Sequence, residues 1–276
     1  MLRVRPTDAL KILHRLCILE GVGTYPNTAD ELVRIVWAVT KATRSRVEDV
    51  PDEMGLLWDR WYESLGRGSP DFGIYNSPLY IAEAFACWAV YSRNYLLGLE
   101  RPKVLPPSGL AADLDPRRVV DLGCGIGFST AGLAQLFPKA SVTGTNVPGS
   151  PQTRIAERLA DPDRLGLRPF SIAGSLSSIP GPTDLVFASE YFEHFQKPVL
   201  HLREVIETLQ PGALLVANTF NSRSIGHFDT YTAGGKTLSG LQTSRAFNAE
   251  LVREGYEKIQ TQFWNNRPAY WRKISL

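Results

Sequence analysis

The strongest indication of fold in this chain is the stretch Val119-Val120-Asp121-Leu122-Gly123-Cys124-Gly125-Ile126-Gly127. Its apolar half, with Arg118 before it, predicts a strand over 118–122. The three glycines predict a sharp turn, because glycine accepts backbone angles that other residues avoid. The residues from 129 to 137 then predict a helix. In an open α/β sheet, this strand-to-helix turn lies at the carboxyl edge of the strands, where ligands bind.

The composition of the glycine loop narrows the kind of ligand. Its spacing is G-x-G-x-G, and Phe128 stands where a dinucleotide fingerprint has its third small residue. The loop holds no lysine, which excludes a P-loop. Asp121 ends an apolar strand, and an unexplained buried carboxylate would be costly. These features favour a binding loop over an ordinary turn, and they make a nicotinamide enzyme the least favoured reading.

After the loop, short apolar runs alternate with helical periods. We predict further strands at 140–145, 170–173, 184–188, 213–218, 256–263 and 269–274, and helices at 151–160, 198–209 and 247–254. This alternation predicts an α/β fold with a doubly wound, mostly parallel seven-stranded sheet.

A break in the pattern divides the chain. Leu105-Pro106-Pro107-Ser108-Gly109 predicts a linker, because proline cannot continue a helix. Helical periods precede it at 8–20, 54–65 and 78–97, and Asn27 or Thr28 is a candidate cap for another helix. We therefore predict an N-terminal helical cap over residues 1–105, which covers the substrate, and an α/β domain over residues 106–276.

The overall composition excludes several classes of protein. Of the 276 residues, 43% are hydrophobic and 21% charged, with a net charge of +2, which excludes a disordered chain and argues against a dedicated nucleic-acid or membrane-surface binder. Three scattered cysteines exclude a disulfide framework. The most apolar segment, 79–90, contains Glu83 and is shorter than the about 20 residues of a membrane span. Without a signal-peptide pattern either, we expect a cytoplasmic protein with no membrane partner, and a homodimer stays open.

The loop resembles motif I of the Rossmann-like, class I S-adenosylmethionine-dependent methyltransferases. Later landmarks occur in the family's order: Asp184-Leu185-Val186-Phe187-Ala188-Ser189-Glu190 resembles the fourth-strand motif, Leu209-Gln210-Pro211-Gly212 the turn before strand five, and Gly255-Tyr256 the step into strand six. The resemblance covers residues 118–276. It implies a Rossmann-like methyltransferase fold, S-adenosylmethionine as cofactor and methyl transfer as activity.

The resemblance also implies cofactor-binding residues. These are Asp121, Gly123, Cys124 and Gly125 in the loop, Asn146 and Val147 after strand two, Ser175 and Leu176 after strand three, and Ser189 after strand four. Where the family usually has an acidic residue at the end of strand two, this chain has Asn146, which lacks the charge-assisted hydrogen bond. Where the family often has an aspartate after strand three, this chain has Gly174-Ser175-Leu176.

Candidates for the chemistry follow strand four in Ser189-Glu190-Tyr191-Phe192-Glu193-His194. Methyl transfer is an in-line displacement, so the enzyme aligns the nucleophile and sometimes removes its proton. Glu190 and His194 are our candidate catalytic residues. Tyr75 and Tyr80, in the helical segment, are weaker candidates for lining the site, and we expect Cys124 and His201 to serve packing. The same run lacks the Asp/Asn-Pro-Pro-aromatic motif of DNA amino-methyltransferases.

A metal site is an alternative that we do not favour. The E-x-x-E-H spacing places Glu190, Glu193 and His194 within about one helical turn, and His227 is a candidate fourth ligand. The run resembles that of metal-assisted O-methyltransferases, including small-RNA 2′-hydroxyl methyltransferases. The simpler interpretation is that Glu193 and His194 begin a helix.

Three hypotheses follow from these observations. The first is an S-adenosylmethionine-dependent methyltransferase that acts on oxygen or nitrogen of a small-molecule acceptor. The second keeps the fold but binds a ligand or partner without methyl transfer, since Asn146 and Ser175 are neutral. The third is a metal-assisted RNA 2′-O-methyltransferase, which the charge of +2 argues against.

Overall fold

The computed structural model describes residues 52–77, 80–100, 114–161, 167–260 and 267–274. The helices are α1 (Asp52–Gly66), α2 (Tyr80–Cys87), α3 (Arg93–Glu100), α4 (Phe128–Leu136), α5 (Pro151–Ala160), α6 (Pro198–Leu209) and α7 (Gly240–Arg253). The strands are β1 (Arg118–Leu122), β2 (Ser141–Thr145), β3 (Ser171–Ala173), β4 (Leu185–Ser189), β5 (Ala213–Ala217), β6 (Tyr231–Ala233), β7 (Lys236–Leu238), β8 (Tyr256–Ile259) and β9 (Ala269–Lys273). The helices predicted at 8–20 and after Asn27, and the linker at 105–109, lie outside the described residues.

Seven strands form one sheet in the order β3-β2-β1-β4-β5-β9-β8. Strands β1 to β5 pair in parallel, and β9 pairs antiparallel with both β5 and β8. The order reverses between β1 and β4, where the sheet has its topological switch point. The predicted doubly wound, mostly parallel seven-stranded sheet is confirmed.

Burial explains why the central strands form where the sequence predicts them. All five residues of β5 are buried, as are the first four of β4, because helices cover both faces of a parallel sheet. Helix α5 begins where Ser150 accepts a hydrogen bond from the Thr153 backbone and Pro151 fixes the first turn.

Two elements differ from the prediction. Helix α7 begins at Gly240, seven residues earlier than expected, because Ser239 and Gln242 form a capping box. The hairpin of β6 and β7 was not predicted, although Gly234 and Gly235 between its strands both have positive φ, as tight hairpin turns require.

The helices before β1 pack on the carboxyl edge of the sheet. From α1, Trp61 Nε1 donates to the His227 carbonyl at 2.7 Å. A π-helical turn, Trp88–Ser92, joins α2 to α3, and Ser92 Oγ donates to Ser189 Oγ at 2.9 Å. Such turns often occur at functional sites. Within the described ranges, no helix combines the length and apolar character needed to cross a membrane.

Candidate functional site

The glycine loop is held open by the end of β2. Gly123, Gly125 and Gly127 have φ of 67°, 55° and 86°, which strains any residue with a Cβ. Thr145 anchors the turn: its hydroxyl accepts from the Gly123 N–H at 3.1 Å and its carbonyl from the Cys124 N–H at 2.9 Å. The loop therefore has one fixed path between β1 and α4.

Asp121, in the strand that leads into this loop, is hydrogen-bonded to the helix that follows the loop. Its Oδ2 accepts hydrogen bonds from Ser129 Oγ at 2.6 Å and Thr130 Oγ1 at 2.7 Å, which fasten the start of α4 to the end of β1. Burial raises the pKa of Asp121 to about 6, although both hydroxyls favour the charged form. With only 2% of its surface exposed, the carboxyl group acts on the shape of the loop.

The predicted residues after β2 and β3 lie at the same edge, because parallel strands end together. Asn146 Nδ2 donates to the Gly125 carbonyl at 2.5 Å, and its Oδ1 accepts from the Val147 N–H at 3.0 Å. Val147 is 48% exposed. Ser175 is exposed, with its hydroxyl 3.1 Å from that of Ser177, and Leu176 is half-buried. These side chains border an open edge beside the glycine loop.

Cys124 packs inside the loop, as the sequence suggests. Its Sγ would lie 2.8 Å from a Cβ at Gly144 of β2, so the absence of a side chain there makes room for the thiol. Burial raises the pKa of this thiol well above its ordinary value. At neutral pH the Cys124 thiol therefore serves packing. The residue can offer a ligand only its backbone groups.

Tyr191 covers the first glycine of the loop. A Cβ at Gly123 would lie 2.4 Å from Tyr191 Cδ2. The Tyr191 hydroxyl lies 2.8 Å from His201 Nε2, and His201 Nδ1 lies 2.8 Å from a Glu204 carboxylate oxygen. Because the carboxylate accepts, Nδ1 donates to it and Nε2 accepts from Tyr191. His201, which also stacks on Phe195 with ring centroids 3.8 Å apart, thereby fixes the Tyr191 ring.

Two carboxyl groups meet at one hydroxyl beyond β4. Thr219 Oγ1 lies 2.5 Å from Glu190 Oε2 and 2.8 Å from Glu193 Oε1, and the Thr219 N–H also donates to Glu193. A hydroxyl carries one hydrogen, so both contacts together require a proton on one carboxyl group. Burial, and next the charge of Glu193, raise the pKa of Glu190 to about 8. Glu190 also has a φ of 51°, a strained value for a non-glycine residue.

His194 lies close to the pair but is electrically neutral. Burial, and next the charge of His227, lower its pKa to about 3, and the Tyr75 hydroxyl lies 3.1 Å from its Nδ1. The His227 ring stands nearly perpendicular to it at 4.9 Å, and His227 Nδ1 donates to the Ser222 carbonyl at 3.0 Å. The four residues of the alternative metal site, which we do not favour, thus lie in one region. No group of three metal-ligating side chains is arranged to hold an ion in the part of the chain that the structure describes.

Four further residues that the motifs did not mark form hydrogen bonds in this region. Tyr95 donates to Glu190 Oε1 at 3.4 Å, and Ser224 Oγ donates to Glu83 Oε1 at 3.1 Å. The sequence could have indicated Thr219, because it follows β5 and the carboxyl ends of neighbouring parallel strands meet at one edge of the sheet. It could also have indicated Glu83, a carboxyl group in the most apolar segment, whereas no pattern marks Tyr95 or Ser224.

The chain is similar in sequence to several proteins whose family or activity is known. Residues 120–215, about a third of the chain, match the family model described as a methyltransferase domain. Trans-aconitate 2-methyltransferase of Rhodopseudomonas palustris BisB18 is 32% identical over 130 residues, which are 46% of this chain and 49% of that protein. Malonyl-[acyl-carrier protein] O-methyltransferase of Hahella chejuensis is 26% identical over 178 residues, or 63% and 61% of the two chains. The chain spans about half the length of the trans-aconitate 2-methyltransferases that it matches.

A solved structure shares the fold. The structure titled "PigF with SAH" superposes with a TM-score of 0.52 at 14% identity, over 79% of this chain and 69% of that one. This similarity concerns the fold alone.

Proposed function

Since the chain belongs to the class I, Rossmann-like S-adenosylmethionine-dependent methyltransferases, we propose that it transfers a methyl group to oxygen or nitrogen of a small molecule. One observation carries the proposal. The anchored glycine loop ends at the same sheet edge as the pair of Glu190 and Glu193, so the cofactor site and the acceptor site that we propose would adjoin.

The residues at the loop suit S-adenosylmethionine. Gly123 is exposed and Gly125 half-buried, and a Cβ at Gly125 would lie only 3.3 Å from the Ala84 side chain of α2, so any residue larger than glycine would crowd the helix here. Backbone groups of the loop and the start of α4 would hold the zwitterionic amino acid part. Asn146 and Val147 would face the ribose, and Ser175 and Leu176 the adenine, with Ser189 beside them. When bound, the cofactor supplies an electrophilic methyl group.

The chain's own groups prepare the acceptor. Tyr75, Glu190 and His194 lie at the edge where β4 ends, beneath the helices that precede β1. Glu190, with its pKa near 8, can take a proton from an acceptor hydroxyl or amine at slightly alkaline pH. Neutral His194 orients by hydrogen bonding, together with the Tyr75 hydroxyl. Burial under α2 and α3 excludes water from this region.

Calorimetric titration with S-adenosylmethionine and its demethylated product tests the cofactor. We expect micromolar dissociation constants for both. No binding at millimolar concentration would reject the proposal and favour a second candidate, a methyltransferase-like protein without methyl transfer. Its supporting observation is that the Asn146 amide, which replaces the family's usual acidic residue, is engaged by the loop itself.

Tritium transfer tests the reaction. Methyl-labelled cofactor is incubated with the protein and the small-molecule fraction of a cell extract, and labelled products are counted. We expect labelling by the wild-type chain, and at least tenfold less by His194→Ala and Glu190→Gln, which retain cofactor binding. Unchanged labelling by His194→Ala would remove that residue from the site. A cytoplasmic location and a homodimer stay predictions.

A further inference from the structure

Gln152, in the first turn of α5, carries a buried oxygen that lacks a hydrogen-bond partner. The residue is 2% exposed, and its Oε1 accepts no hydrogen bond from any group in the part of the chain that the structure describes. A buried carboxamide oxygen without a donor is unfavourable, because it has given up its hydrogen bonds to water. A donor supplied here by a ligand would therefore stabilise the site.

Gln152 lies on the side of α5 that packs against the glycine loop. Gln152, Ala156 and Leu159 are spaced i, i+4 and i+7, so they share one face of the helix, and all three are buried. A Cβ at Gly127 would lie 3.0 Å from Ala156 Cβ and 3.4 Å from Leu159 Cδ2. Gln152 extends this row by one turn toward the N-terminus of α5, which follows the carboxyl end of β2. Its side chain is thus on the loop side of the helix, near the edge where ligands bind.

Hydrogen bonds fix the first turn of α5 relative to the end of β2. Ser150 Oγ accepts from the Thr153 N–H at 3.2 Å, and Thr153 Oγ1 donates to the Val147 carbonyl at 2.6 Å. Helix α2 also packs against α5. These contacts hold Gln152 in one place beside the residues that follow β2.

Asn146 stands where the family usually has an acidic residue, but it is engaged within the protein. Its Nδ2 donates to the Gly125 carbonyl, and its Oδ1 accepts from the Val147 N–H. The family resemblance implies that the acidic residue accepts hydrogen bonds from the ribose hydroxyls of the cofactor. Because both ends of the Asn146 carboxamide already have partners, that task falls to another acceptor at the same edge.

On the basis of the proposed function, we propose that Gln152 binds the ribose of the cofactor, with Oε1 accepting a hydrogen bond from a ribose hydroxyl. The hydroxyl supplies the O–H donor that this oxygen lacks. The neutral carboxamide is also buried at less cost than a carboxylate would be. Gln152 thereby recognises the sugar in place of the family's acidic residue, while Asn146 shapes the loop.

Ligands with and without the sugar hydroxyls test this role. S-adenosylhomocysteine and its 2′,3′-dideoxy analogue are titrated calorimetrically into the wild type and into Gln152→Met, which keeps the length of the side chain and removes the acceptor. We expect the wild type to prefer S-adenosylhomocysteine at least about tenfold, and the variant less than about threefold. A purely structural role would weaken both ligands equally. An unchanged preference in Gln152→Met would therefore overturn the proposal.

Two further variants locate the effect. Gln135→Met, at a half-buried position on α4, is the matched control and should keep the wild-type preference. Asn146→Ala should weaken both ligands through the loop and also keep the preference. Loss of the preference in Asn146→Ala, together with its retention in Gln152→Met, would assign the ribose to Asn146 and overturn the proposal.

The wild-type titrations separate this inference from the function on which it rests. Absence of S-adenosylhomocysteine binding would reject the proposed function and this inference with it. Binding without a preference over the dideoxy analogue would reject the inference alone. This comparison needs no variant that could fail to fold.

Discussion

The side-chain amide of Asn146 donates a 2.5 Å hydrogen bond to the carbonyl oxygen of Gly125. This contact joins the end of β2 to the centre of the glycine loop, across 21 residues of sequence. The family usually has a carboxylate at this position, and a carboxylate could not donate. In this chain the neutral side chain therefore shapes the loop, in addition to any contact with the ribose.

We predict that Asn146→Asp weakens binding of S-adenosylhomocysteine about fivefold or more. The new carboxylate would repel the Gly125 carbonyl and release the loop, which outweighs any gain at the ribose hydroxyls. Calorimetry measures the dissociation constant, with the exposed Asn76→Asp as the control for an added charge. Tighter binding by Asn146→Asp would show that the ribose contact dominates.

The raised pKa of Glu190 predicts a loss of stability with rising pH. In the folded chain this pKa is about 8, against an ordinary value of 4.5. Below both values, Glu190 is protonated in the folded and unfolded states and stability is full. Between them the unfolded chain binds fewer protons, so stability falls as pH rises and levels off above about pH 8. The expected loss is on the order of 3–5 kcal/mol.

Glu190→Gln should remove this part of the pH dependence, since glutamine imitates the protonated carboxyl group. Urea unfolding at pH 5 and pH 8.5 measures the free energy of unfolding of both proteins. Asp121, whose pKa is also raised, contributes equally to both and cancels in the difference. Parallel stability curves for wild type and variant would contradict the assignment.

We predict that Gly123→Ala lowers the free energy of unfolding by about 1–3 kcal/mol. Its φ of 67° disfavours a Cβ, and that Cβ would meet Tyr191 Cδ2 at 2.4 Å. In the double variant with Tyr191→Ala, the part of the destabilisation that comes from the clash should disappear. The part that comes from the positive φ should remain. A double-mutant cycle on thermal or urea unfolding measures the coupling. Additive effects would mean that the ring moves aside without cost.

Asp121→Ala should destabilise the chain by about 2–3 kcal/mol. It leaves the hydroxyls of Ser129 and Thr130 buried without their acceptor and detaches α4 from β1. Hydrogen exchange at the first turn of α4 should increase together with the loss of stability. Asp59→Ala, at an exposed position on α1, is the matched control and should change neither quantity. Unaltered exchange in α4 would show that the loop is held by Thr145 alone.

The sequence predicted the sheet well because the features that mark a strand lie within that strand and in the residues next to it. Apolar runs and glycine or proline breaks mark each strand within a few residues, and helices α5 and α6 begin and end at the predicted residues. The order of elements then leaves few topologies for a parallel sheet. The helix over 240–253 begins seven residues before its predicted start, because the capping box of Ser239 and Gln242 starts the helix ahead of the apolar stretch.

Periodicity and neighbours in the chain were enough to predict the α/β fold, the glycine loop and the position of the candidate residues after β4. Which groups share the site depends on long-range packing. Tyr95 and Glu190 are 95 residues apart in sequence, Ser224 and Glu83 are 141 apart, and Thr219 lies 26 residues after Glu193. Their contacts arise because the helices before β1 pack on the carboxyl edge where β4 and β5 end, and burial there sets the protonation of Glu190 and His194. Packing and desolvation depend on residues from distant segments, which no local pattern records.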